Sequence, residues 1–298
     1  MDISKQLTTV FLLIFGWVHA QRAPLDLYPK TELTNEQKIH VADLQSLYEA
    51  EQATEEQMDE LGQLFLQGRQ YKKALEVYEY LCQSYPNRFE YQFRRGASAG
   101  FVLDTVSKLG ALPYLSSLKS GFEQAVRINQ NSIAAKRALL SVYVDLPRIL
   151  GGDLQRGLQI CADIESLSPL EGALAYVWYA SKTNQIDLAK THMQLVLDSK
   201  VKEITVNDSR YEYATIAWLW GGEMEIAKEY FRAFISYSQP GDMYPAVFAK
   251  YRLTEISVIL AKEPTTQPTK DSILKQFPNM VSWLETFDPI GSMINDVN

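Results

Sequence analysis

A chain of 298 residues with 46% hydrophobic and 22% charged side chains has the composition of a folded globular protein and can bury a sizeable core. Its formal net charge of −7 excludes the basic footprint that non-specific nucleic-acid binding requires, and no charge run is long enough to form a disordered acidic tail. Length alone predicts about two domains, unless the chain is a repeat array that grows without a boundary.

Residues 1–20 have the pattern of a secretory signal peptide. Lys5 supplies the positive start, Leu7 to Val18 the apolar run, and Val18-His19-Ala20 the small residues at a cleavage site after Ala20. The run is shorter than the ~20 residues a transmembrane helix needs; left uncleaved, it would act as an anchor. No cysteine follows it, which argues against lipoprotein processing. The expectation is an exported protein, periplasmic or secreted, with no integral membrane span. Export places Cys82 and Cys161 in an oxidising setting. They fall in different repeats, so the reading is two free, buried thiols rather than a disulfide, and their spacing excludes a CxxC site.

The segment 21–54 is turn-rich around Pro24 and Pro29, then helical from about Asn35 to Glu51, with Thr34 as N-cap ahead of Glu36 and Gln37. This helix is expected to cover the open face of the first helix pair. Leu61 to Pro86 reads as two short helices. Leu61, Gly62 and Phe65 share one face of the first, Gly68 breaks it, and Ala74, Tyr78 and Leu81 form the buried face of the second, which Pro86 ends. Small residues at Gly62 and Ala74 allow close approach, and the aromatics fill the space around the contact. This pattern resembles the tetratricopeptide repeat (TPR).

Less regular copies follow. The second runs from Phe89 through Gly96 to Phe122 and Ala125, with extra residues between its helices that are expected to lengthen both helices and the turn. The third spans about Ser132 to Pro169, with Pro147, Gly151-Gly152 and Asp153 in its turn; the fourth Leu170 to Ser199; the fifth begins near Asp208 and carries Gly221-Gly222. Their repeat lengths scatter around the ~34 residues of a TPR. A helix from Met243 to Lys262, a polar breaker, and a last helix from about Asp271 to Glu285, ending before Pro289, complete the chain. The expectation is an all-α, TPR-like α-solenoid of about five helix pairs with N- and C-terminal capping helices: signal peptide 1–20, capping segment 21–54, solenoid 55–262, C-terminal linker and capping helix 263–298.

A narrower likeness covers about residues 90–200. Phe122 to Val126, Pro147 with Gly151-Gly152, and Pro169-Leu170-Glu171-Gly172 are similar to features of exported bacterial TPR proteins of unassigned function. More remotely, they are similar to TPR proteins associated with TRAP transporters and to regulators of microtubule dynamics. The resemblance implies the fold and leaves the activity open.

Catalytic signals are weak. Gly96-Ala97-Ser98-Ala99-Gly100 fits the GxSxG pattern, but a nucleophile elbow needs a strand-to-helix turn, and here the run falls inside a repeat helix. The structural reading is small residues for close helix packing. His40 and His192 have no partners at metal or triad spacing, and Gly151-Gly152 lacks the Lys-Ser/Thr of a phosphate loop. No enzyme, metal or cofactor is expected. What remains is binding. In TPR arrays first helices line a concave face, and Phe93, Arg94, Val142, Trp178, Glu212 and Ile216 fall toward it in this register, against the plainer reading that they pack between repeats. Of Trp218 and Trp220, at most one can face the core. The reading is a non-catalytic scaffold for a protein or peptide partner. The alternative is a periplasmic ligand- or lipid-binding subunit associated with a transport system, taking an apolar small ligand.

Overall fold

The computed structural model describes residues 23, 27–28, 32–199, 203–239, 241–260 and 270–297, and every regular element among them is helical. The expected signal peptide and the polar breaker before Lys270 lie outside the described residues. Among those described, no helix is long and apolar enough to cross a membrane.

The first helices are started by side chains that satisfy otherwise orphaned backbone donors. α1 (Asn35–Glu49) begins at Thr34, whose hydroxyl accepts from the Gln37 N–H at 3.1 Å, while the Gln37 carboxamide accepts from the Thr34 N–H at 3.0 Å. Thr54 and Gln57 repeat this reciprocal box at the start of α2 (Glu55–Gln67). α2 ends at Gly68, as expected. Gly68 keeps an ordinary negative φ of −78°, and Arg69 takes the left-handed conformation at φ +57°. Gly68 matters for space instead, because a Cβ there would stand 3.1 Å from Leu33.

α3 (Tyr71–Ser84) packs back on α2 through the contact the sequence marks: a Cβ on Gly62 would come within 2.7 Å of the Tyr78 ring. Leu61, Phe65, Ala74, Tyr78 and Leu81 share one core with Val41 and Leu44 of α1, so the first helix does cover the first pair. The next pair is closer still. In α4 (Phe89–Leu103) and α6 (Leu115–Ile128) a Cβ on Gly121 would meet the Gly96 backbone nitrogen at 2.6 Å. The extra residues between them lengthen α4 but not α6, which at 14 residues equals α3. They form their own short helix, α5 (Lys108–Ala111), and a 3-10 turn (Leu112–Tyr114). Ser107 caps that helix from outside, so the insertion is a structured knob.

α7 (Ile133–Asp145) and α8 (Leu154–Leu167) come third. Gly151 adopts φ +101°. At Gly152 any Cβ would lie 1.7 Å from the Leu146 carbonyl oxygen, so this turn admits glycine alone. Asp153 then caps α8 by accepting from the Gln155 and Arg156 N–H groups.

The chain divides into two compact units. One holds residues 32–142 together with Ile149–Gly151; the other holds Tyr143–Arg148 and the described residues from Gly152 on, with Ala23, Leu27 and Tyr28. In the second unit α9 (Pro169–Thr183) pairs with α10 (Ile186–Asp198), and α11 (Asn207–Leu219) with α12 (Met224–Ser236). Pro169 opens α9 behind its cap Ser168 rather than closing α8, since proline is at home in the first helical turn. α13 (Ala246–Leu260) follows against α12. The Tyr28 hydroxyl donates to the Met243 carbonyl at 2.7 Å, tying the first described residues to the loop before α13.

The end of the chain departs most from expectation. In place of one helix there are three: α14 (Lys270–Gln276), α15 (Met280–Phe287) and α16 (Pro289–Val297). Pro278 follows α14 and precedes α15, and Pro289, read from sequence as a stop, is the first residue of α16. Each unit is thus all-α and built of consecutive packed helix pairs, the arrangement of an α-solenoid. Cys82 and Cys161 are buried thiols outside any disulfide.

Candidate interaction surface

The first helices of the pairs carry all six residues expected on a binding face. In the first unit two of them stay partly exposed. Phe93, on α4, stacks on Phe89 with ring centroids 5.9 Å apart and meets the edge of Phe122 at 5.4 Å. One helical turn separates Phe89 from Phe93, so the two rings form a half-exposed aromatic step beside Arg94 and Arg95. Arg94 is committed. Its guanidinium pairs with Asp59 on α2 and lies 5.9 Å from the Tyr78 ring centroid, while the Tyr78 hydroxyl donates to the same carboxylate at 3.2 Å. Burial raises the Tyr78 hydroxyl well above its ordinary range, so it remains a donor. Glu55 on α2 likewise accepts from Tyr91 at 2.8 Å and pairs with Arg88 at 3.3 Å. The first-helix face here is a band of acids on α2 answered by arginines and tyrosines from the following helices. Val142, on α7, is buried.

In the second unit the first helices are enclosed. Nearly every residue from Leu170 to Ala180 on α9 and from Asn207 to Trp218 on α11 is buried. A helix buried all round must be covered on every side, whereas the first helix of an open TPR pair keeps a solvent stripe. Trp178, Glu212 and Ile216 are therefore interior: Trp178 is 1% exposed, and Glu212 and Ile216 not at all. The Tyr244 hydroxyl donates to Glu212 at 3.3 Å. Trp218 is buried under the Arg252 guanidinium, 5.6 Å from its ring. Trp220 stays partly exposed with the Lys190 ammonium at 6.0 Å, so one tryptophan of the two faces inward.

The sequence reading missed the residues that organise this unit. Asp288, fully buried, accepts from the Tyr211 hydroxyl at 2.8 Å, from Arg252 at 2.9 Å, and from the Gly291 N–H at 3.0 Å. Burial first, then the Asp288 charge, raises the Tyr211 hydroxyl far above its usual range, which keeps it a donor to the carboxylate. Tyr211 also stacks on Tyr244 at 4.3 Å. A second carboxylate, Glu171 on α9, accepts from the Thr205 and Val206 N–H groups and from the Thr205 and Ser209 hydroxyls, at 2.8, 3.0, 3.1 and 2.5 Å. It fastens the start of α11 to α9. The signal for Asp288 was in the sequence: an acid, a proline and a glycine three residues after the acid are a helix start.

Nothing here is arranged for catalysis by the GxSxG run. Ser98 is fully buried in the middle of α4, and its hydroxyl has no hydrogen-bond partner. Among the described residues no group of three or more His, Cys, Asp or Glu side chains could hold a metal ion.

No protein-family model matches the chain, and no curated protein matches it. Among solved structures it is similar to a thermophilic TPR protein of Thermus thermophilus, at 17% identity over 69% of this chain and 100% of that one, with a TM-score of 0.43. It is also similar to a tetratricopeptide repeat protein of Parabacteroides merdae, at 9% identity over 88% and 100%, with a TM-score of 0.44. A third likeness is to PilW, described as a widely conserved type IV pilus biogenesis factor, at 12% identity over 89% and 99%, with a TM-score of 0.36.

Proposed function

We propose that the protein is an exported, non-catalytic scaffold that holds a protein or peptide partner on the first-helix face of its repeats. The observation that carries this reading is the half-exposed aromatic step Phe89–Phe93 beside Arg94 and Arg95 on α4. Aromatic and arginine side chains supply most interface hot spots, and a rigid helix pair presents them at little ordering cost. The half-exposed step suits a partner segment that brings an apolar side chain to it.

The test is crosslinking capture in the native envelope with the wild-type chain and with Phe93→Ala. A defined polypeptide held by the wild type and lost at least tenfold by Phe93→Ala supports the reading. Equal capture by both, or none by either, sinks it. Export is checked on the same sample: the intact mass should correspond to a chain starting at Gln21, and a chain retaining Met1 would contradict it.

One observation favours a second reading, a carrier for a small ligand. Trp178 and Thr215, buried on α9 and α11, each have a polar atom with no hydrogen-bond partner, and an enclosed ligand with an acceptor and a donor would satisfy both. Native mass spectrometry of protein taken directly from its source separates the two: a retained small-molecule mass supports the carrier, and a clean polypeptide mass removes it.

A further inference from the structure

The enclosure of α9 and α11 has an identifiable cause. α16 packs on both of them, which puts it on the side lined by first helices. Its buried residues Ile290, Gly291, Met293 and Ile294 recur at the spacing of a single helical face. Its head is fixed by Asp288, the cap of its third residue, which lies between Tyr211 of α11 and Arg252 of α13. The fit is close: a Cβ on Gly291 would come within 2.5 Å of the Asp288 carboxylate and 2.7 Å of the Arg252 guanidinium. The first-helix side of this unit therefore already holds a short amphipathic helix, gripped by a socket for one carboxylate and seated on an apolar floor. At nine residues that helix is below the ~12–15 at which isolated helices become even marginal in water. It keeps its form only while docked.

We propose that the first-helix face of the second unit is a peptide groove that α16 occupies in cis. Its partner in trans is a segment of the same chemistry: a carboxylate directly ahead of a two-turn helix, glycine at the third helical position, and bulky apolar residues at the second, fifth and sixth. Tyr211 and Arg252 read the carboxylate, and the fixed glycine excludes any side chain from the space beside it. A tethered segment competes at an effective concentration on the order of millimolar, so the groove is closed to weak ligands and opens to one that matches it better. This deepens the scaffold reading and rests on it for its biological partner, but its groove is separate from the aromatic step on α4.

The probe is a fluorescent synthetic peptide of residues 286–297, titrated by anisotropy into the full chain as wild type, as Ile294→Asp and as Asp288→Asn. The two variants weaken the docked helix and leave the socket intact. Both should bind the peptide at least tenfold more tightly than the wild type does, and a peptide whose Asp288 is replaced by Ala should bind them at least tenfold more weakly. Binding to none of the three proteins overturns the proposal, as does equal binding to all three or indifference to the acid. If Ile294→Asp fails to fold, Asp288→Asn carries the comparison. If neither folds, α16 is inseparable core and the proposal falls. Peptide binding without any captured polypeptide would leave the groove standing and remove the scaffold reading; loss of capture by Phe93→Ala without peptide binding would do the reverse.

Discussion

Two kinds of glycine separate cleanly at the level of single residues. Gly152 faces a carbonyl oxygen that its Cβ would approach to 1.7 Å, so the backbone itself must move. Gly152→Ala is expected to cost about 3 kcal/mol or more. Gly222 sits at φ +68° with nothing within 4 Å, so Gly222→Ala meets only the left-handed penalty of about 1–2 kcal/mol. Urea titrations of both variants give that ranking or refute it. Ser98 runs the other way. Its hydroxyl is buried without a partner, so Ser98→Ala removes a desolvated polar group and gains helix propensity; stability should rise by about 1 kcal/mol, and a fall would mean the hydroxyl has a use. Asp145 pairs with Lys182 at 2.8 Å, yet burial outweighs that pairing and raises its carboxyl above the usual value. A raised folded-state value means its stabilising contribution is fully present below the unfolded value near ~4 and is lost as pH rises through the folded one. The stability of Asp145→Asn relative to wild type should therefore improve between about pH 4 and pH 7, measured by denaturant midpoints at both ends.

Among elements, the ends of helices were the most and the least legible features. Thr34 and Thr54 carry glutamine three residues on, a local signal that needs nothing from the rest of the chain. The Gly62–Tyr78 and Gly96–Phe122 contacts were legible because small and aromatic residues alternate at a fixed spacing along two neighbouring helices. α16 was not, because proline announces either a stop or a start, and only the acid before it and the glycine after it decide which. Trp178, Glu212 and Ile216 are interior for the same reason: a sequence register shows which side of a helix faces inward on the array, but not that a later helix will cover it. Two substitutions test how α16 is held. Arg252→Met leaves the Asp288 carboxylate buried without its cation and should cost about 3–5 kcal/mol. Tyr211→Phe removes one of three donors and should cost about 1 kcal/mol. Equal losses would show that the charge of Arg252 is not what secures the carboxylate.

For the whole chain, redox conditions should be without effect. Burial first raises the Cys82 thiol to about 11, far from the thiolate that exchanges disulfides, and both cysteines are buried outside any disulfide. Native protein should react slowly with a thiol reagent and release two equivalents once unfolded, with the same melting temperature with or without reductant; a reductant-dependent melt would contradict this. The all-α fold and its pairing were readable because each contact in an α-hairpin repeat is local in sequence. The longest-range contact described is that of the Tyr28 hydroxyl on the Met243 carbonyl. A ribosome makes that donor 215 residues before its acceptor, so while the first unit can close on itself as it emerges, Tyr28 must wait for the loop ahead of α13. Long-range closure of this kind raises contact order and slows folding. The chain's earliest described tyrosine thus finds its place only after the loop ahead of α13 has been made.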